Sequence, residues 1–300
     1  MRLLQRKDIG KYNLTEFVGD AIPRYAILSH TWGPDHEEVT LADLEKDTDA
    51  IKAGYRKLRF CADQAAKDGL RYFWVDTCCI DKSSSAELTE AINSMFAWYR
   101  DAARCYVYLS DVSTGSLTSG PPAQQDWYPA FQQSRWFTRG WTLQELVAPV
   151  SVEFFSVEGQ RLGNKYSLLQ ELHGISAISV EALQGSPLDG FSVDERMSWV
   201  GKRKTKREED MAYSLLGLFD VHMPLIYGEG QKKALARLQK EINAPSSEER
   251  NEAAQNQSQA THSYHGPVFH GPISGRYVVP GTHVTGGTVN FDFSEGRNVR

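Results

Sequence analysis

Apolar and polar positions along the first 243 residues switch between two regimes. Residues 25–28 are Tyr-Ala-Ile-Leu, and the stretch 24–29 has the length and apolar content of a buried strand. Between 55 and 69, Tyr55, Leu58, Ala62, Ala65 and Ala66 recur at helical spacing, and Gly69 marks a stop. Residues 72–77 (Tyr-Phe-Trp-Val-Asp-Thr) predict a second strand. Ser84 followed by Glu87 predicts a capped helix start, with Leu88, Ala91, Met95 and Tyr99 on one face. Residues 105–110 predict a third strand, and a Gly/Pro/Gln-rich stretch to about Gln133 predicts a loop. A short helix over 142–147, stopped before Pro149, precedes a fourth strand over 151–156. Helical signals dominate afterwards, including 208–219 and 231–242.

Strands that alternate with helices predict an α/β domain: a parallel sheet with helices on both faces, followed by a helical C-terminal portion. The pattern changes after Asn243, beyond which the chain has no Leu, Trp, Cys, Met or Lys. Residues 244–261 are small and polar and predict a flexible linker. Residues 262–300 carry short β-prone runs between Gly, Pro and Thr: Val268-Phe269, Tyr277-Val278-Val279, and 288–293 with Val289 and Phe291. This tail is expected to be disordered alone or to stack as β-arcs between chains, with Pro267, Pro272 and Pro280 in turns.

Composition narrows the function classes. The chain has 300 residues, 41% hydrophobic and 24% charged, which suffices for a sizeable core. A net charge of −5 supplies no general field for phosphate backbones, so nucleic-acid binding is not expected. The N-terminus turns to charge at once, no apolar run is long enough to span a bilayer, and the four cysteines form no C-x-x-C pair. A reduced, soluble, cytoplasmic protein is the expectation.

Ligands of open parallel sheets bind beyond the C-terminal strand ends. That rule selects Ser29, His30, Trp32 and Gly33 after the first strand, Asp76, Cys78, Cys79 and Asp81 after the second, and Ser110-Asp111 after the third. Arg139, Trp141 and Glu145 precede the fourth, and a helix would put Trp141 and Glu145 on one face. Glu145 would either oppose a developing positive charge or pair with Arg139 and backbone donors. Trp141 is a ligand platform or a core ring. Cys78 and Cys79 read as buried structural thiols, and the histidines lack metal-ligand spacing, so no metal is expected. Walker A and G-x-G-x-x-G patterns are absent. The basic run 202–207 is followed at once by Glu208-Glu209-Asp210 and reads as a solvated stretch between helices.

Tyr25-Ala-Ile-Leu-Ser-His-Thr-Trp-Gly33 resembles the first motif of the fungal HET (heterokaryon incompatibility) domain. Tyr72-Phe-Trp-Val-Asp-Thr-Cys-Cys-Ile-Asp-Lys82 resembles its second, and Arg139-Gly-Trp-Thr-Leu-Gln-Glu145 its third. Cys78-Cys79 and His30-Thr31 depart from the commoner pairs at those places. The resemblance covers about residues 1–243 and implies induction of cell death after non-self recognition. Trp141-x-x-x-Glu145 is also similar to the W-x-x-x-E stretch of TIR domains, which implies a TIR/flavodoxin-like fold and NAD+ as a possible substrate, with no required cofactor. In that reading Glu145 and Trp141 are catalytic, while Ser29, His30, Trp32, Gly33, Asp76, Asp81 and Arg139 bind substrate. The tail resembles fungal amyloid signalling motifs. That likeness implies self-assembly into fibrils and, as partner, an NLR-type nucleotide-binding receptor with a matching N-terminal motif. A non-enzymatic scaffold that recruits a downstream executor is the alternative.

Overall fold

The computed structural model describes residues 1–8, 11–45, 52–115 and 124–244, together with the backbone of 283–285 and 288–290. Two compact units result, Met1–Ala244 and Pro245–Arg300. In the first, seven strands form one sheet: β1 (Arg2–Asp8), β2 (Lys11–Glu16), β3 (Tyr25–His30), β4 (Tyr72–Trp74), β5 (Arg104–Tyr108), β6 (Val152–Phe155) and β7 (Arg161–Asn164), in spatial order β2-β1-β4-β3-β5-β6-β7. The central four are parallel to one another, as the alternating pattern predicts. The outer strands correct the all-parallel expectation: β1 runs antiparallel to β2 and β4, and β7 antiparallel to β6.

The helices are α1 (Leu41–Glu45), α2 (Gly54–Lys67), α3 (Ser85–Arg100), α4 (Gln124–Gln132), α5 (Thr142–Val147), α6 (Leu169–Ser176), α7 (Val180–Leu183), α8 (Val193–Ser198), α9 (Asp210–Tyr213) and α10 (Gln231–Ile242). They cover both faces of the sheet. Successive strand residues point to opposite faces, and every residue of β3 is buried. On one face Tyr106 and Tyr108 of β5 meet α2, where the Phe60 ring lies 4.9 Å from Tyr108 and the Tyr106 hydroxyl donates to Asp68 at 2.5 Å. On the other, Tyr25 donates to the Trp98 carbonyl of α3 at 2.6 Å and Ser29 meets α5. Phe154 of β6 packs there against Trp136 and against Phe131 of α4.

Local signals explain the end of α2 and the start of α3. Gly69, at φ 69°, closes α2 in the left-handed region where glycine is unstrained. Ser84 accepts from Glu87 N at 3.3 Å and so caps α3, but the Glu87 carboxylate does not return to Ser84. It takes the Asp81 N–H at 2.7 Å and pairs with Arg2 of β1, tying the antiparallel strand to the helix start.

Three expectations are corrected. The stretch before Gln133 holds the helix α4, with Pro129 inside it. Residues 208–219 form the short α9 and a 3-10 turn over Leu216–Leu218 rather than one helix. The basic run is not simply solvated: Arg203 is buried, and the Lys204 backbone pairs with Thr138 and Gly140.

In the second unit the backbone forms a hairpin of β8 (His283–Thr285) and β9 (Thr288–Asn290), antiparallel, with Val284 opposite Val289. The expected linker beyond Ala244, and Val268, Phe269, Tyr277, Val278, Val279 and Phe291, lie outside the described residues.

Candidate functional site

Chain direction across the parallel strands reverses between β3 and β5, because β4 lies on one side of β3 and β5 on the other. A crevice forms at such a reversal. A cleft of about 190 Å³ lies there, lined by Gly33, Glu38, Gly54, Lys57, Tyr108 and Ser110 among others.

His30, the last residue of β3, faces the α2 side by strand alternation. Its ring sits between two carboxylates, with Nε2 3.7 Å from Glu38 and Nδ1 3.8 Å from Asp76. Both separations exceed hydrogen-bond length, and His30 Nε2 and Asp76 Oδ1 are buried without a hydrogen-bond partner. Trp32 donates its indole N–H to the other oxygen of Asp76 at 2.8 Å, and the Lys82 ammonium stands 3.8 Å above the Trp32 ring. Trp32 is thus held between a carboxylate and a cation.

Glu38 anchors the loop that follows β3. It accepts from Gly33 N at 2.6 Å and pairs with Lys57, whose ammonium also donates to the Thr31 carbonyl at 3.1 Å. Burial opposes ionisation of Glu38, but the neighbouring His30 ring and the hydrogen-bonded charge of Lys57 outweigh it and hold the carboxyl down at about 2. Lys57→Met removes the neutralising cation and leaves a mostly buried carboxylate, so it is expected to cost roughly 3 kcal/mol. Denaturant titration at pH 7 checks this; a loss below about 0.5 kcal/mol would show that the pair is an ordinary surface contact.

Glu145 lies on the opposite face. It sits in α5, 7% exposed. Ser29 donates to its Oε2 at 2.5 Å, and Trp136 donates its indole N–H to Ser29 Oγ at 2.7 Å, which makes a buried relay. Burial pushes the Glu145 carboxyl up to about 8; the Asp76 charge adds to the rise, while the Ser29 hydrogen bond, Arg139 and Arg203 oppose it. The carboxyl is therefore mostly protonated at neutral pH. Glu145 does not line the cleft on the α2 side. Asp76, beyond the end of β4, is the group felt from both faces.

The remaining predicted residues scatter around these two clusters. Trp141, half-buried at the start of α5, donates to Asp210 at 3.4 Å rather than opening toward the cleft. The Arg139 carbonyl accepts from Arg203 at 3.0 Å, and Arg203 also donates to Thr142 Oγ1 at 2.7 Å. Asp81 closes a turn, accepting from Ser83 N at 2.9 Å and Ser83 Oγ at 2.6 Å. Cys78 and Cys79 are buried free thiols, and burial pushes Cys78 well up, as expected for inert sulfur. Among the described residues no cluster of His, Cys, Asp and Glu is placed to hold a metal, and no helix is long and apolar enough to cross a membrane.

Residues 25–121 match the family described as heterokaryon incompatibility protein (HET). The HET match spans β3 to β5 and therefore holds Ser29, His30, Trp32, Glu38, Lys57, Asp76 and Ser110, but it stops before Arg139, Trp141 and Glu145. The chain is also 61% identical over 244 residues to the vegetative incompatibility protein HET-E-1 of Podospora anserina, an alignment covering 81% of this chain and 18% of that relative. It thus spans about a fifth of the relative's length. No solved structure matches the chain.

Glu38 and Lys57 escaped the sequence reading. Glu38 follows the HET-like opening motif by five residues, and Lys57 is a cation on the half-buried side of α2, between Tyr55 and Leu58. A buried-side lysine and an acidic loop were the available signals.

Proposed function

We propose that the Met1–Ala244 unit is a cell-death effector of fungal vegetative incompatibility. It would be switched on when residues 262–300 cluster many copies on a nucleotide-binding receptor. The identity to HET-E-1 carries the effector role, and the likeness of residues 262–300 to amyloid signalling motifs supports the clustering step. Clustering raises the local concentration of effector units without any new contact inside one copy. The resting chain fits a quiet state, since its Glu145 carboxyl is buried and capped by Ser29.

Two executions follow from one observation, the burial of Glu145. In the enzymatic one, assembly opens α5 and exposes the carboxylate. Glu145 then stabilises the oxocarbenium-like ribose left when nicotinamide departs from NAD+, and Trp32 or Trp141 stacks on a ring. In the other, Glu145 stays a core acid and the assembled unit recruits a downstream executor. Burial favours the second for the resting geometry.

Deletion of 262–300 is expected to abolish receptor-dependent killing in fungal cells; undiminished killing by the truncated chain would sink the clustering mechanism. Killing and NAD+ loss that both vanish in Glu145→Gln, with fibrils intact, would establish the enzymatic execution. Killing that survives this change would establish the scaffold.

A further inference from the structure

The cleft at the β3/β5 reversal has a neighbour. A second cleft, about 240 Å³, lies along α2 and is lined by Arg56, Arg59, Phe60, Lys67, Glu158 and Gly159 among others. The two share Arg56, Tyr108 and Val157. At this saddle the Arg56 guanidinium and the Tyr108 hydroxyl donate to one acceptor, the Val157 carbonyl, at 2.5 and 2.7 Å. The partition is thus two side chains meeting on one oxygen, and Arg56 is exposed. Each chamber alone is smaller than the roughly 300–1,000 Å³ usual for a small-molecule site, whereas the pair falls inside that range.

The chambers differ in chemistry. Arg56, Arg59, Phe60, Asp63, Gln64 and Lys67 follow helical spacing and share one face of α2. Arg59 and Lys67 have no carboxylate partner among the described residues, whereas Asp63 is paired with Arg6. Glu158, held ionised by hydroxyl donation from Ser113 and Ser156, each at 2.6 Å, is one anion against the three cations Arg56, Arg59 and Lys67. The outer chamber therefore keeps a surplus of cations suited to phosphate oxygens. The inner chamber offers the Glu38 carboxylate and the Ser110 hydroxyl, which suit hydroxyl donors. A bound phosphate gives Arg56 a charged acceptor in place of a neutral carbonyl, and this favours opening of the partition.

We propose that the paired clefts form one site for a phosphorylated sugar of mononucleotide size. The phosphate lies against Arg56, Arg59 and Lys67, and the sugar hydroxyls lie against Glu38 and Ser110. The site occupies the α2 face and is separate from Glu145. It stands independently of whether the chain kills cells or cleaves NAD+.

Calorimetric titration of the full chain tests it with AMP, ribose 5-phosphate, adenosine and inorganic phosphate. AMP and ribose 5-phosphate are expected to bind, adenosine not, and inorganic phosphate at least tenfold more weakly than ribose 5-phosphate. Arg59→Ala combined with Lys67→Ala changes two exposed side chains and is expected to weaken AMP at least tenfold with the melting temperature of the free protein unchanged. Ser110→Ala is expected to weaken ribose 5-phosphate while sparing inorganic phosphate. The proposal is overturned if neither phosphorylated sugar binds at millimolar concentration, if adenosine binds as well as AMP, or if the double variant binds AMP unchanged.

Discussion

At pH 8 the Glu145→Gln variant is expected to be more stable than the native chain by about 4 kcal/mol, with near-equal stability at pH 4.5. The sign follows from the direction of the shift. Glu145 titrates near 8 when folded, against 4.5 for the free side chain. Below pH 4.5 both states hold the proton and folding is indifferent to it. Between the two values only the folded state binds it, so folded stability falls by about 1.4 kcal/mol per pH unit and flattens above 8. Glutamine has nearly the same shape, accepts from Ser29 as the acid does, and carries no proton to lose. The neighbours that feel the Glu145 charge, Tyr99, Cys105 and Arg203, lose protons only above this pH range, so the difference between pH 4.5 and 8 reports Glu145. For a domain of this size the gap at pH 8 corresponds to a shift on the order of 10 °C in melting temperature. Guanidinium midpoints of both proteins at pH 5 and pH 8 decide it. Parallel profiles would mean that Glu145 is ionised in the folded chain, which is the state an oxocarbenium-stabilising carboxylate requires.

That contrast shows where sequence reasoning stops. The strand, helix, strand order across β3, α2, β4, α3, β5, α5 and β6 was legible because each piece carries a strong period and a marked end. The spacing of Trp141 and Glu145 was legible too. Burial of Glu145 was not, because it depends on Ser29 and Trp136, which lie 116 and 107 residues from their partners. The outer strands were missed for a related reason. In β1 the two apolar residues, Leu3 and Leu4, are adjacent and both buried, so no alternation marks the strand. What gives them their environment is pairing with β2 and β4, a contact between distant segments. The helix α4 was hidden by Pro129 and by the Gly/Pro-rich stretch before it. A helical reading of 208–219 followed the apolar spacing, but the chain leaves the helix after Tyr213, and the turn beyond it brings one residue hard against α3.

That residue is Gly217, and Gly217→Ala is expected to cost about 4 kcal/mol or more, beyond ordinary overpacking. A Cβ built on Gly217 would lie 2.0 Å from Phe96 Cβ, 2.3 Å from its Cγ and 2.7 Å from its Cδ2. A clash with the far end of a flexible side chain is relieved by rotation, but Cβ is fixed by the backbone of α3. Either α3 or the 3-10 turn over Leu216–Leu218 must move, and both are anchored. Tyr99 of α3 donates to the Leu28 carbonyl in the middle of the sheet, and Leu216 and Leu218 are buried on either side of the glycine. Native domains have only about 5–15 kcal/mol in reserve, so a large fraction of stability is at stake. Trimming the ring separates this explanation from simple crowding. Phe96→Ala removes Cγ and Cδ2 but keeps Cβ, so it should rescue Gly217→Ala only in part. Phe96→Gly removes the remaining contact and should give a larger coupling in a double-mutant cycle, despite its own helix penalty of about 1 kcal/mol. Denaturation midpoints of the single and double variants measure both couplings. Equal rescue by alanine and glycine would show that the ring, not the backbone approach, excludes a side chain at this position.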